Sequence, residues 1–334
     1  MKRSVLVFAL FVSVPGLAWA QGEGELEQRS KGYRWTRGKV RFDLVDRGKR
    51  WSKKDAERVA SAFDRLPDAL LRPASDWKVR WYRDPVTTGR GGEKKPDASA
   101  TTVVEKAWIS MSDTLFKKGR EDKCYSTVTH ELGHVIQYAL RSSNPYVARA
   151  LVASLGTPGF TSISWTLAAT DGLKSYNGFV SDYARSGNRE DFAESVEFYW
   201  LNPRELERAN PRKYRFMRDE VFKGVLPPKS QRLTNWKRTA LVRPELRSLS
   251  KSEGRRASLV KVRGKYFMGP LDGGYNRVSF RGKRALHLPV SRSTIWSWVP
   301  AFAKTGSNPV RVRTQDGSSE ERAFRVKKPW WKFW

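Results

Sequence analysis

The stretch THELGHVIQYAL, Thr129 to Leu140, decides how the rest of this chain is read. Two histidines stand four apart, with a glutamate directly after the first. Residues four apart share one face of a helix. His130 and His134 can therefore grip one metal ion while Glu131 addresses a water beside it, the H-E-x-x-H arrangement of metal-dependent hydrolases. Val128, Leu132, Val135 and Ala139 supply an apolar stripe, so the spacing predicts a helix over residues 124–140. The chain holds only three histidines, and two of them are in this motif.

Two imidazoles do not complete a metal site. A third histidine in the metzincin manner would need Gly at 137 and His at 140, where this chain has Gln137 and Leu140. His287 lies in a strand-like segment far along the sequence. A carboxylate is expected instead, as in His₂Glu sites. The segment YARSGNREDFAESVEFYW offers Glu190 and Glu194, again four apart and on one face of a second helix, residues 190–200. One of the two can bind the metal, and the other can hold a ligating imidazole in its tautomer.

Tyr183, Glu190 seven residues on, and then Phe192-Ala193-Glu194 resemble the active-site helix of the anthrax lethal factor type of zinc peptidase, a gluzincin branch. The resemblance covers residues 34–225. It implies a zincin-like fold, an α+β peptidase domain with a mixed sheet, an HExxH helix and a helix carrying the glutamate ligand. It implies one Zn²⁺ ion held by His130, His134 and Glu190, with Glu131 as general base, Tyr183 assisting catalysis and Glu194 behind the ligands. It also implies that an extended peptide pairs with an edge strand at Trp108, Ile109, Ser110 and Met111. Asp191, between the glutamate and the phenylalanine, is not expected to disturb the site.

The chain has 334 residues, 39% hydrophobic and 29% charged, enough for two domains with a sizeable core. Residues 1–20 read as a secretory signal: Lys2 and Arg3, an apolar run, and Ala18-Trp19-Ala20 as the cleavage site. Export to the periplasm or beyond is the expectation. Cys124 is the only cysteine, so no internal disulfide forms, and a buried inert thiol is expected. The formal charge is +30, and removal of Lys2 and Arg3 leaves +28. Such a surface attracts polyanions. For an exported chain these are lipopolysaccharide, anionic lipid or a wall polymer, and export argues against nucleic acid.

Between these landmarks, residues 21–32 read as a flexible lead-in and residues 33–225 as the peptidase domain. KVRFDLVD alternates Val40, Phe42 and Leu44 on one face of a strand. Ser52 and Asp55 form a capping-box pattern before Ala56, Val59, Ala60, Phe63 and Leu66. Pro67 and Pro73 punctuate that helix's exit, WKVRWYRD alternates again, and VVEKAWISM reads as one strand. Residues 226–256 are Pro-, Ser- and base-rich and read as a basic linker. Residues 257–334 hold short strands such as SLVKVR, RVSFR and RAFRVK, a small β-rich domain with the basic aromatic tail KKPWWKFW. That tail mixes interfacial tryptophans with lysines. The function expected is an exported zinc-dependent metalloendopeptidase. The alternatives are a cationic envelope-binding protein whose zincin domain is degenerate or structural, and a cell-wall amidase.

Overall fold

The structure, a computed structural model, describes residues 23–328 apart from residues 90, 96, 146, 149, 151, 153–155, 167–171, 229–241 and 273. Residues 1–20, read above as a secretory signal, and the last six residues of the tail lie outside the described residues. Helices and several sheets build two large cores and a small third cluster around Val104 and Tyr138.

The first part is a six-stranded mixed sheet in the order β1-β2-β3-β4-β8-β7. Its strands are β1 (Glu25–Arg29), β2 (Gly32–Arg37), β3 (Val40–Asp46), β4 (Arg80–Asp84), β7 (Ala100–Val103) and β8 (Trp108–Ser112). A two-residue hairpin, β5 (Thr87–Thr88) and β6 (Lys94–Lys95), projects between β4 and β7. β3, β4 and β8 run parallel, and β1, β2 and β7 are antiparallel to their neighbours. Val40, Phe42 and Leu44 of β3 are buried as their alternation requires.

Between β3 and β4 lie α1 (Lys53–Asp64) and α2 (Asp68–Asp76). Ser52 caps α1 by accepting a hydrogen bond from the Asp55 N–H, and Ala56, Val59, Ala60 and Phe63 face the core. The long helix α3 (Glu121–Ala139) packs against α1, α2 and β7. One turn of helix, α4 (Thr161–Ser164), precedes α5 (Asn188–Leu201), α6 (Pro203–Ala209) and α7 (Pro211–Phe216).

Residues 242–328 fold as two facing sheets. One has the order β14 (His287–Ser291), β15 (Thr294–Trp298), β11 (Leu259–Lys265), β9 (Glu245–Leu249). The other has the order β10 (Glu253–Gly254), β18 (Arg322–Val326), β16 (Gly306–Thr314), β12 (Arg277–Phe280), β13 (Lys283–Arg284), with β17 (Gly317–Ser318) on β16. Val260, Val262, Val278, Phe280, Ile295, Val310 and Phe324 fill the space between them.

This β-domain is bonded to the first. The Asp316 carboxylate accepts from Ser175, from the Tyr176 N–H and from Asn177. Asp272 accepts from the Leu173 N–H. Arg185 in turn donates to the Tyr176 carbonyl at 2.7 Å. The β-domain thus braces the segment that leads to Tyr183.

Several sequence expectations change. The lead-in 21–32 is not flexible throughout: β1 pairs along β2, Leu26 packs on the core, and Asp64 accepts from the Gly24 N–H. Its polar side chains hide it from any hydrophobic period, because its order comes from backbone pairing. The region 226–256 contains β9 and β10, so it is not linker to its end; β9 brings only Leu246 and Leu249 to the core. Pro73 lies inside α2 rather than after α1, tolerated because Leu70, Leu71 and Ala74 bury that short helix. β15, an inner strand of its sheet, was missed because Ile295 and Ser297 face inward while Trp296 faces out, so apolar and polar residues do not separate by side.

The most consequential difference concerns residues 103–111. The stretch read as one strand reverses at a 3₁₀ turn, Val104–Lys106, followed by Ala107 at φ +49°, a left-handed conformation few side chains accept. β7 and β8 therefore lie side by side. Trp108, Ile109, Ser110 and Met111 are buried between β4 and β7, not on an edge. β7 is the edge strand.

A buried ion pair anchors this sheet. The Asp84 carboxylate accepts from Arg47 and from the Ser110 hydroxyl, and the Arg47 guanidinium also stacks 3.7 Å from the Trp108 ring. Burial pushes the Asp84 pKa up, but these two donors outweigh it and hold the carboxyl below its ordinary value. A depressed carboxylate contributes stability that is present above the unfolded pKa, near 4, and lost as pH falls through the folded value. D84N should therefore cost roughly 1.5–3 kcal/mol at neutral pH. The gap to the parent should close in urea unfolding curves taken at successively lower pH below about 4. A gap that stays constant would mean Asp84 is not ionised in the fold.

Candidate metal centre

The site forms where α3 meets α5. Gly133, inside the motif, sets the distance between them: a Cβ there would stand 2.9 Å from the Ala193 Cα. Only glycine lets the two backbones pass so closely. One turn of α5 before Ala193, Glu190 is then aimed at the imidazoles of α3. Burial of Val128, Leu132, Val135, Phe192 and Val196 around this contact fixes both helices.

Three ligand atoms converge there. Glu190 Oε2 lies 3.3 Å from His130 Nε2 and 3.3 Å from His134 Nε2. The two imidazole rings stand 4.9 Å apart at 85°. Glu190 Oε2 is buried yet takes a hydrogen bond from neither ring. A buried carboxylate oxygen without a hydrogen bond, facing two imidazole nitrogens, is a group that a metal ion satisfies. Atoms each about 2.0–2.1 Å from a tetrahedral centre stand about 3.3 Å from one another. The residues present fit a metal ion.

His130 is shared by a second group. Its Nδ1 faces Glu194 Oε1 at 3.3 Å and Glu197 Oε2 at 3.4 Å. His130, Glu194 and Glu197 are all buried, and this trio can also hold a metal ion, as can His130, His134 and Glu190. Chemistry separates the two groups. Glu194 already accepts from the Ser181 hydroxyl at 2.6 Å, and Glu197 from Ser126. Both carboxylates face Nδ1, where they can aim Nε2 at His134 and Glu190. Glu190 Oε2 is the buried carboxylate oxygen of the cluster left without a hydrogen bond.

Without a metal the electrostatics are those of carboxylates crowding an imidazole. Burial lowers the His130 pKa, but the Glu190, Glu194 and Glu197 carboxylates around the ring outweigh it and raise that pKa well above its usual range. Burial raises Glu190, and the charges of His134 and His130 bring it far below the usual carboxylate range. Glu194 is likewise held down by His130 and Ser181 against its burial. Glu197 goes up, through burial and the neighbouring Glu194 charge.

Glu131 lines the cleft beside this cluster and is 5% exposed. The Thr102 hydroxyl of β7 donates to its carboxylate. Tyr183 stands at the mouth, its ring 5.8 Å from that of His130. Burial, then the Glu190 carboxylate, raises its pKa, so the phenol keeps its proton. Two adjoining hollows of about 310 and 290 Å³ flank the cluster. One wall of both is the approach to β7 and β7 itself, including Ala98 and Ala100.

The structure therefore brings His130, Glu131, His134, Tyr183, Glu190 and Glu194 to one place. It leaves Trp108, Ile109, Ser110 and Met111 behind β7, one strand away. Sequence reasoning missed Glu197, Ser126 and Thr102. Glu197 lies seven residues after Glu190, a spacing that returns to the same helix face, and that was its one available signal. His287 sits on β14, in neither cluster. Cys124 is fully buried, with its thiol pushed up to about 12 by burial, an inert core group.

No family model and no curated protein matches this chain. Among solved structures, a gamma-CGTase from an alkalophilic Bacillus clarkii overlaps 25% of this chain and 12% of its own, at 22% identity and a TM-score of 0.22. An auxiliary nutrient binding protein from Bacteroides thetaiotaomicron overlaps 26% of this chain and 21% of its own, at 16% identity and the same TM-score. SGBP-B from a xyloglucan utilization locus of Bacteroides uniformis overlaps 27% and 25%, at 16% identity and TM-score 0.22. The chain spans a quarter or less of the length of these proteins, and the overlaps carry no argument about its fold or its chemistry.

Proposed function

We propose that this chain is an exported zinc metallopeptidase of zincin-like fold, with His130, His134 and Glu190 as ligands. The observation that carries the reading is the 3.3 Å spacing of Glu190 Oε2 from both Nε2 atoms, beside a glutamate held for proton transfer. Two imidazoles and a carboxylate with a solvent-facing side are the ligand chemistry of catalytic zinc. A zinc ion bound there supplies a Lewis acid and brings the pKa of a ligated water toward about 7.

The chain's own groups do the rest. Glu131 takes the proton from the water that attacks the peptide carbonyl and hands it to the leaving amine. Thr102 keeps that carboxylate turned toward the cleft. Tyr183, protonated because its pKa is raised, donates a hydrogen bond to the oxyanion as it develops. Glu194, with Glu197 beside it, orients His130. The free edge of β7, rather than Trp108–Met111, offers backbone N–H and C=O groups to an extended peptide.

The test is direct. The purified chain is expected to hold about one zinc per molecule and to cleave an unfolded protein such as casein, and a chelator should abolish the cleavage. Metal bound with no hydrolysis across a peptide library would favour the envelope-binding alternative.

The imidazole-orienting carboxylates give a graded prediction. E194Q should weaken zinc binding about 10-fold, and E194Q combined with E197Q about 100-fold, the range for partners of ligating histidines. Competition with a chromophoric chelator measures both. Equal affinity in all three proteins would show that His130 is oriented by other means.

A further inference from the structure

The β-domain carries an apolar face that the cleft does not use. Among the described residues, nine of the thirteen large hydrophobic side chains that remain exposed fall between residues 242 and 328. Five of them belong to one side of the β14-β15-β11-β9 sheet. Along β14 and the residue before it, Leu286 (74% exposed), Leu288 (52%) and Val290 (44%) alternate with half-buried His287, Pro289 and Ser291. Leu288 pairs with Trp296 (41% exposed) on β15, and Trp296 pairs with Lys261 on β11. Leu259 (43% exposed), two residues before Lys261, shares its side. Val260, Val262, Ile295 and Ser297 take the opposite side and are fully buried. This outer face is apolar from Leu286 to Leu259, and Lys261 and Arg263 continue it.

We propose that this face docks on an anionic phospholipid bilayer. The edge of β14 is blunted against strand addition, since Pro289 lacks an N–H and the register slips between Pro289 and Ser291. Its side chains, not its backbone, are therefore the docking element. Leucine, valine and tryptophan side chains flanked by cations suit the boundary of headgroups and acyl chains. Residues 242–328 hold 20 lysines and arginines against six acidic residues, so the field around the face attracts an anionic surface. A second copy would bring the same positive charge against the first. A neutral glycan would want hydrogen-bond donors and acceptors, which Leu286, Leu288 and Val290 do not supply. The residues concerned are separate from His130, Glu131 and Glu190, so the docking does not depend on the peptidase reading.

Cosedimentation of the purified chain with vesicles tests this, using phosphatidylcholine alone and equal parts phosphatidylcholine and phosphatidylglycerol. Binding should be at least about tenfold tighter to the anionic vesicles and should weaken with salt. The combined variant L286S, L288S and W296S should lose about tenfold or more of that binding. A chain ending at Lys328 tests the tail: the contrast between parent and variant should persist in it. L288E alone serves if the triple variant does not keep the parent's melting transition. Three results would overturn the proposal. The folded variants could bind as tightly as the parent, the vesicles of both kinds could bind equally, or the parent could be a dimer that the variant breaks.

Discussion

E131Q should keep its zinc and lose hydrolysis by about 10³-fold or more. General acid–base groups contribute about 10²–10⁴-fold each time they act, and the proposed reaction uses Glu131 in both proton transfers. Glutamine is nearly isosteric and still accepts the Thr102 hydroxyl, so the fold and the ligand cluster should be unaffected. Zinc content by mass spectrometry of the intact complex and casein cleavage measure the two halves separately. A variant that cleaves as the parent does would remove Glu131 from the reaction. A parent that holds zinc yet cleaves nothing would make the cluster structural. The two outcomes differ in which protein is inactive.

The second large effect concerns stability. Lys213 on α7 and Asp191 on α5 are both about 1% exposed and pair at 2.7 Å. Lys213 also donates to the Gly178 carbonyl, and Asp191 accepts from the Trp165 indole N–H. Burial lowers the lysine pKa and raises that of the aspartate, so the pair does not fully offset its desolvation. K213M leaves a buried carboxylate with one neutral donor and should cost roughly 3–5 kcal/mol. D191L combined with K213M removes both charges and should recover most of that loss. Urea unfolding of the two variants measures it. A double variant as unstable as K213M would show that shape, not charge, decides this position. Because Asp191 follows Glu190, K213M should also loosen the ligand helix and lower zinc affinity, whereas the double variant should restore it.

Asp191 illustrates how far the sequence could be read. It was legible as a polar residue next to the candidate ligand Glu190, but its partner is 22 positions away on another helix, and no local pattern announces that. Glu197 was within reach, being on the same helix face as Glu190. The false edge at Trp108–Met111 had a specific cause. Val103 and Val104 favour extended backbone, and the reversal depends on Ala107 adopting a left-handed conformation that alanine rarely takes. β1 and β9 were missed because their order comes from backbone pairing with neighbours rather than from a hydrophobic period of their own.

What the sequence alone determined is the inventory and its local geometry. His130 and His134 share a face, Glu131 stands beside them, and Glu190 and Glu194 share another face, because 3.6 residues per turn follows from backbone bonding within each helix. What only the tertiary structure decided is that these faces meet, with Glu190 rather than Glu194 beside both Nε2 atoms and with β7 along the cleft. That meeting depends on Gly133 passing Ala193 and on a reversal at Ala107, contacts between segments far apart in the chain. Their free energy belongs to packing, which no stretch of sequence carries by itself.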